Sequence, residues 1–525
     1  MVRSPYMTPP LLPVLGAEHA AAWDRRASQA GIHLATLMDA AGRGAAHVIA
    51  ARYPGRVAGG VIVAAGTGNN GGDGWVVARA LAAAGASVWV ASLEGERSTL
   101  CADAARLAMA SGVRMLAPDG PWPGVALGVD AILGGGAQGA PRAPAQALLD
   151  RLHDLRIPII ALDGPTGLDL TTGVVHGNAR ADLSITFGGP RRGHLLARDQ
   201  SGAVVVLDIG LPPAEVGWPR MVTDEWAAQQ LPSFKAGDYK NTRGRIVIIG
   251  GAPGMSGAVR MAAHAAFAAG AGYVHAMAPA LTIEELRLAE PEILTQECDL
   301  EADPGDDVLA LAARADTVVL GPGMGRSDGR VPFILAIAAV AQRLVIDADA
   351  LTVFQGRAAE LARSVAGKPT LITPHPGEFR ALVPDLDAER EVDPWGAAMD
   401  AAERLGLVVL LKGVPSVVAA PDRSAWAVAA GNPGLGTGGS GDVLSGVAGT
   451  FLAQLREPLV VGALAAQALG TAGDIAARRH TAHAMRPADV IEALPDVWRD
   501  WELRRNSGMN IRPPTMWELP EPARI

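Results

Sequence analysis

The stretch Gly436-Thr437-Gly438-Gly439-Ser440-Gly441-Asp442-Val443-Leu444-Ser445-Gly446 decides how this chain of 525 residues is read. Four glycines and two hydroxyl residues precede Asp442, and Val443, Leu444, Val447, Phe451 and Leu452 then follow a helical pattern. Glycines let a backbone turn sharply and come close to a ligand. A helix N-terminus adds unpaired N–H groups and the positive end of a dipole, a setting that suits phosphate. An acid beside bound phosphate is costly unless it has a task, such as taking a proton from a hydroxyl that attacks phosphorus. Taken alone, a glycine-rich turn capped by aspartate would look the same, so the rest of the chain has to decide.

Elsewhere the chain repeats one pattern: a short apolar run, a Gly- or Pro-rich loop, then a helical stretch. In the first half the runs begin at Val61, Ser87, Val129, Ile157, Leu183 and Ala203; in the second they begin at Arg245, Tyr273, Thr317, Leu344, Thr370 and Leu407. Runs this apolar, without alternation, suit strands covered on both faces. Strands alternating with helices predict an α/β chain whose domains are mainly parallel sheets covered by helices. The length requires more than one core. Pro212, Pro213, Pro219 and Pro232 break the alternation, which predicts domains over 1–222 and 223–505 and a proline-rich tail over 506–525.

Hydrophobic residues make up 49% and charged residues 19%, a globular composition. A net charge of −9 without a long basic block argues against nucleic acid as a partner. Cys101 and Cys298 stand far apart and form no metal or disulfide pattern, as expected of a reducing cytoplasm. The opening residues, rich in proline and without an apolar core, do not read as a signal peptide. The apolar run 257–280 contains Arg260, His264 and His275, so it reads as a buried helix followed by a strand rather than a membrane span.

Ligands of open α/β sheets sit beyond the C-terminal ends of the strands. After the run at Val61 comes Gly66-Thr67-Gly68-Asn69-Asn70-Gly71-Gly72-Asp73-Gly74. Its glycines match a dinucleotide fingerprint, but two asparagines and an aspartate crowd a turn that such a loop leaves to backbone. Asp130 ends a strand ahead of Gly134-Gly135-Gly136-Ala137-Gln138-Gly139-Ala140, and Asp163-Gly164-Pro165-Thr166-Gly167-Leu168-Asp169 follows another. Asn70, Asp130 and Thr166 could supply amide, carboxylate and hydroxyl oxygens to a hard cation. Asp163 could exchange a proton with a substrate hydroxyl. Helix caps at Asp73 and Thr166 and a plain turn at Asp163 are the structural alternatives.

Over residues 14 to 220 these segments, with Leu37-Met38, Ala41-Gly42-Arg43, Thr172-Gly173 and Thr186-Phe187-Gly188, resemble the NAD(P)H-hydrate epimerases. The resemblance implies a Rossmann-like fold. It implies that Asn69 to Asp73 and Gly134 to Ala140 contact a hydrated nicotinamide nucleotide, with Asp163 at the reacting centre. Asn70, Asp130 and Thr166 would bind K+. The chain departs from the family pattern at Gly164, where isoleucine or valine is usual. Thr166 replaces serine and keeps the hydroxyl. Arg191 replaces lysine and keeps the charge, but it is a poor proton donor.

The second half places five special loops after its strands: Gly250 to Ala258, Gly321-Pro322-Gly323-Met324-Gly325, Thr373-Pro374-His375-Pro376-Gly377-Glu378, Lys412-Gly413, and the opening stretch. Lys412 could offset phosphate charge, His375 is held between prolines, and Glu378 could cap the next helix. Asp347 and Asp349 follow a strand and either shape a substrate site or cap a helix. Together with Lys240 and Gly244, over about 226 to 500, this set resembles the ribokinase-like superfamily, and within it the ADP/ATP-dependent NAD(P)H-hydrate dehydratases. By that resemblance Ala258, Gly323, Gly325, His375 and Asp442 face the hydrated nucleotide. Lys412, Gly413, Val414, Pro415, Ser416 and Gly441 hold the adenine nucleotide.

The two resemblances imply one repair task on NADHX and NADPHX. The first domain interconverts the R and S hydrates. The second phosphorylates the C6 hydroxyl of the S form from ADP, with Mg2+ on the phosphates and Asp442 accepting the proton. Loss of phosphate then restores the ring. A homo-oligomer is expected. The alternatives are a ribokinase-like small-molecule kinase fused to a non-catalytic nucleotide-binding domain, and a dehydrogenase with NAD at Gly66 to Gly71.

Overall fold

The computed structural model describes residues 11–506 and 516–519. It divides into two compact units that change over between Trp218 and Pro219, with 516–519 belonging to the first. Most of the opening residues 1–16 read against a signal peptide, and most of the expected tail, lie outside the described residues.

The first unit is built on a sheet ordered Met516–Glu518, Ala203–Leu207, Leu183–Phe187, Ile159–Leu162, Leu127–Ala131, Val61–Ala65, Val88–Ser92, Arg114–Leu116. Every pairing is parallel except that of Met516–Glu518 against Ala203–Leu207. Part of the expected proline-rich tail, Met516–Glu518, therefore closes the edge of this sheet with a strand. Strand Val61–Ala65 shows why the apolar runs do not alternate. Val61, Val63 and Ala65 pack with helices Leu34–Arg52, Asn69–Ala83 and Thr99–Ala110, while Ile62 and Ala64 pack with helix Ala143–Asp154 on the other face. Successive side chains point to opposite faces, and here both faces are covered.

In the second unit strands Leu294–Glu297, Tyr273–Ala278, Arg245–Ile249, Thr317–Leu320, Leu344–Ile346, Thr370–Ile372 and Val408–Leu411 lie side by side in parallel. An antiparallel hairpin, Ser416–Ala419 and Ala425–Val428, extends the edge, and Arg220–Met221 pairs parallel to it. That pairing ties residue 220 to the second unit, where proline content had led the sequence reading to 222. Ile246, Ile248, Val274 and Ala276 face a core made with helices Ser256–Ala268, Ser440–Leu455 and Pro458–His480. Helix Pro458–His480 is long and apolar enough to cross a membrane by composition, yet 72% of its apolar window is buried inside the protein. It is a core helix, which explains its all-round apolarity. The run 257–280 forms helix Ser256–Ala268 and strand Tyr273–Ala278.

Candidate active sites

In the first unit the C-terminal ends of strands Val61–Ala65, Leu127–Ala131 and Ile159–Leu162 open onto a cavity of about 600 Å³. Asp163 leaves strand Ile159–Leu162 with φ 62°, a strained conformation for a residue with a side chain. Three hydrogen bonds hold it. Oδ2 accepts from Gly135 N at 2.7 Å; Oδ1 accepts from Thr186 Oγ1 at 3.0 Å and Arg191 Nε at 2.8 Å. A Cβ on residue 135 would lie 2.9 Å from Asp163 Oδ2, so this approach needs glycine.

Burial works to raise the Asp163 carboxyl, but the charge and hydrogen bond of Arg191, with Gly135 N–H, hold it below the usual carboxylate value. Asp163 is therefore ionised at neutral pH. Asp73, on the same cavity wall, shifts the other way: burial first, then the charges of Asp163 and Asp24, raise it well above the ordinary value. Two acids whose environments push them apart are suited to opposite proton-transfer roles.

Asp130 is fully buried. Its carboxylate accepts from Thr166 N and Thr166 Oγ1, both at 2.8 Å, and from Ile132 N at 3.2 Å. Burial still leaves the Asp130 carboxyl raised, against the lowering effect of those bonds. Thr166 Oγ1 also accepts from Leu133 N at 3.0 Å, so its hydroxyl serves this cluster rather than a helix cap. Both polar atoms of the Asn70 amide are buried without a hydrogen-bond partner among the described residues. The amide carbon lies 3.2 Å from where a Cβ on Gly134 would be.

Asp73 lies inside helix Asn69–Ala83, whose N-cap is Gly68, so it is not a cap either. Asn69 Oδ1 accepts from Ser98 Oγ at 2.9 Å at the cavity mouth. Gly134 to Ala137 line the cavity, whereas Gln138, Gly139 and Ala140 are exposed beyond it. Gly71 and Gly72 are buried in the first helical turn against Gly66 and Met38. Two neighbours of the site had no signal in the sequence. Asp24, on helix Ala17–Gln29, looks like any polar position of an amphipathic helix, yet it lines the cavity. His194 is buried and accepts from Arg191 N at 3.1 Å; burial pushes it down to about 4, so it is neutral.

In the second unit the stretch 436–446 becomes a turn followed by helix Ser440–Leu455, entered through Gly439 at φ 103°. Gly436 and Gly438 adjoin open space. The first turn of such a helix leaves its N–H groups unpaired. Ser440 Oγ is buried with no partner among the described residues, a donor awaiting an acceptor. Below this mouth, Lys412 Nζ lies 2.7 Å from Asp347 Oδ1 and 3.6 Å from Glu378 Oε2. Ser445 Oγ donates to Asp347 Oδ2 at 2.7 Å. A Cβ on Gly441 would stand 3.6 Å from both Asp347 Oδ2 and Lys412 Nζ, so helix start and lysine share one corner.

The electrostatics of this corner are internally opposed. Burial would lower Lys412, but Asp347 and Glu378 raise it on balance, and it stays charged. Asp347 resists the pull of burial because Lys412 is so close, and is held low. For Asp442 the balance falls the other way: burial, then the charge of Asp347, push its carboxyl up to about 7 against the lowering pull of Lys412. It can hold or release a proton near neutral pH, the condition for general-base work.

The remaining loops brace this corner. His375 caps helix Pro376–Leu382: its Nδ1 accepts from Gly377 N at 2.9 Å and Glu378 N at 3.3 Å, while Glu378 Oε2 accepts from His375 N at 2.7 Å. Glu378 thus completes a capping box as well as facing Lys412. Asp349 Oδ2 accepts from Gly325 N at 2.9 Å and anchors the Gly321 to Gly325 loop. At Gly323 a Cβ would fall 2.9 Å from that of Ala258, so these two positions meet. Lys412 to Ser416 form the turn between two sheet strands, closed by Gly413 N donating to Ser416 Oγ at 3.3 Å, with Val414 exposed.

The family described as NAD(P)H-hydrate dehydratase matches residues 246–496, and that described as YjeF-related protein N-terminus matches residues 34–193. A bifunctional NAD(P)H-hydrate repair enzyme of Moorella thermoacetica is 34% identical over 502 residues, covering 89% of this chain and 92% of its own. One from Salinibacter ruber is 36% identical over 525 residues, covering 92% and 96%. A crystal structure of ADP/ATP-dependent NAD(P)H-hydrate dehydratase from Bacillus subtilis, co-crystallized with ATP/Mg2+, covers 54% of this chain and 99% of that chain at 25% identity, with TM-score 0.47.

Proposed function

We propose roles for the two sites from one premise: the chain belongs to the family of bifunctional NAD(P)H-hydrate repair enzymes. Its activities are epimerisation of NAD(P)H hydrate and ADP-dependent dehydration of the S hydrate.

In the first unit the substrate carbon C6 carries a hydroxyl and is bonded to the ring nitrogen. Removing the hydroxyl proton lets the carbon–nitrogen bond open to an aldehyde, and closure on the other face inverts the centre. Asp163 takes that proton, since Arg191 keeps it ionised. Asp73, which retains its proton to higher pH, supplies one to the opened ring and recovers it on closure. Asn70, Asp130 and Thr166 would hold K+. The unpaired Asn70 amide and the single buried carboxylate of Asp130, still raised by burial, fit an oxygen-bound monovalent cation. The cation would fix the loops that carry Gly134 and Asp163.

In the second unit Asp442 is the base that takes the C6 hydroxyl proton as that oxygen attacks the terminal phosphorus of ADP. AMP leaves, and loss of the new phosphate from C6, with release of a C5 proton to solvent, restores the ring double bond. Free N–H groups at Gly441 and Asp442, with Lys412, face the transferring phosphoryl group. Ala258, Gly323, Gly325 and His375 would form the hydrate side, and Gly413 to Ser416 the adenine side. Mg2+ would come with ADP and offset the phosphate charge; no cluster of three His, Cys, Asp or Glu residues poised for a metal occurs among the described residues. Two buried, unpaired thiols support a reducing, cytoplasmic location.

The observation that carries this reading is Asp442, an acid poised near 7 at a glycine-rich helix start beside Lys412. Asp163→Asn separates the two activities. It should abolish enzymatic R-to-S conversion while S-hydrate dehydration with ADP continues. Unchanged epimerisation in that variant would remove Asp163 from the chemistry.

A further inference from the structure

The second unit contains a cavity of about 240 Å³ away from the loops just described. It lies on the sheet face opposite the main core, near the N-terminal ends of strands Arg245–Ile249 and Tyr273–Ala278, and is covered by helix Asp306–Arg314. The catalytic loops leave the opposite, C-terminal ends of the strands.

A sheet buried on both faces should carry apolar side chains on both. On the core face it does: Ile246, Ile248, Val274 and Ala276 are buried. On the cavity face the register sets Arg245 beside Tyr273 and Val247 beside His275. Three of those four positions are polar or charged, half-buried, and turned toward a covering helix. Arg314, at the end of that helix, adds a second guanidinium to the wall. A cation at a helix C-terminus is common, so Arg314 alone would mean little. Its convergence with Arg245 and His275 is what needs explaining.

No ion pair reaches the Arg245 or Arg314 guanidinium among the described residues. Arg245 Nη2 donates to the neutral Asn241 Oδ1 at 2.9 Å. The nearby Asp316 carboxylate accepts from the backbone N–H of Arg245, at 2.9 Å. Lys240, which the sequence singled out and the active site left unused, lies 5.1 Å from the Tyr273 ring centroid and adds positive charge at the rim. The positive potential registers on His275, which burial and then the charges of Arg245 and Arg314 hold below its ordinary value.

We propose that this cavity is a second anion site that binds a small tetrahedral dianion, inorganic phosphate or a short phosphate ester, between Arg245, His275 and Arg314. Paired guanidinium groups match phosphate oxygens in geometry and charge. The volume lies below the range of cavities that hold drug-sized ligands, roughly 300–1,000 Å³, so a dinucleotide does not fit. The site is independent of the hydrate chemistry.

The test titrates inorganic phosphate and, separately, glycerol phosphate into the full chain by calorimetry, with excess ADP and Mg2+ occupying the catalytic corner. One saturable site is expected. Arg314→Gln, a change at an exposed helix end, should weaken it about tenfold by loss of a charge-assisted contact, and Arg245→Gln at least as much. Arg314→Gln should leave S-hydrate dehydration without added anion unchanged. Tighter binding of the free ion or of the ester identifies the source, and either supports the site. Absence of binding for both probes, or wild-type affinity in both variants, overturns the proposal.

Discussion

Replacing Asp442 by asparagine keeps the size of the side chain and removes the base. The structure sets the scale of the effect. A positioned general base contributes about a hundred- to ten-thousandfold, so kcat for S-hydrate dehydration should fall by that factor. ADP affinity should hold or tighten, because the variant removes a negative charge beside the phosphate site. The wild-type protein carries a second signature. With the Asp442 carboxyl at about 7, roughly a tenth of it is ionised one unit below and roughly nine-tenths one unit above. The base form is lost as pH falls, so kcat/KM should drop about tenfold from about pH 8 to about pH 6. The assay follows NADH absorbance from purified S hydrate at saturating ADP across that range. The reasoning fails if Asp442→Asn turns over at the wild-type rate, or if the wild-type acid limb persists unchanged in the variant.

Three further outcomes follow from the packing. Lys412→Met would leave Asp347 and Glu378 buried without their cation, a loss of about 3–5 kcal/mol in urea denaturation. That loss should shrink as pH falls and the carboxylates protonate; no change in midpoint would contradict the ion triad. Asn70→Ala should abolish a rise of the first unit's thermal midpoint with KCl over LiCl while its circular dichroism stays native; an intact K+ response would move the cation elsewhere. Gly321 has φ 121° and a Cβ there would sit 1.8 Å from Asp347 O, so Gly321→Ala should cost more than about 2 kcal/mol and weaken ADP binding. Wild-type stability would show that the loop relaxes freely.

Much of the architecture was legible because unbroken apolar runs such as 246–249 and 61–65 report burial on both faces. Short or polar edge strands were not. Leu294–Glu297, Arg114–Leu116 and Met516–Glu518 pair through backbone groups at sheet edges, where side chains need not be apolar. The site loops announced themselves by glycine, because close backbone approach at Gly135 and Gly321 excludes a Cβ. What stayed hidden were partners brought in from distant sequence. Asp24 reaches the first cavity from an ordinary amphipathic helix, and Ser445 holds Asp347 from inside a helix whose mouth drew the attention. The opposed acidities of Asp73 and Asp163 were equally invisible, since they arise from Arg191 and burial rather than residue type.

The central claim is that both activities reside in this one chain. Its most direct test gives the whole protein a mixture of R and S hydrates with excess ADP and follows the near-ultraviolet absorbance of the reduced nicotinamide to completion. Recovery of all the NAD(P)H, with AMP and phosphate formed in equal amount, is predicted, at a rate well above spontaneous epimerisation. Recovery that stops at the S fraction, or a stable phosphorylated product without NAD(P)H, would contradict it.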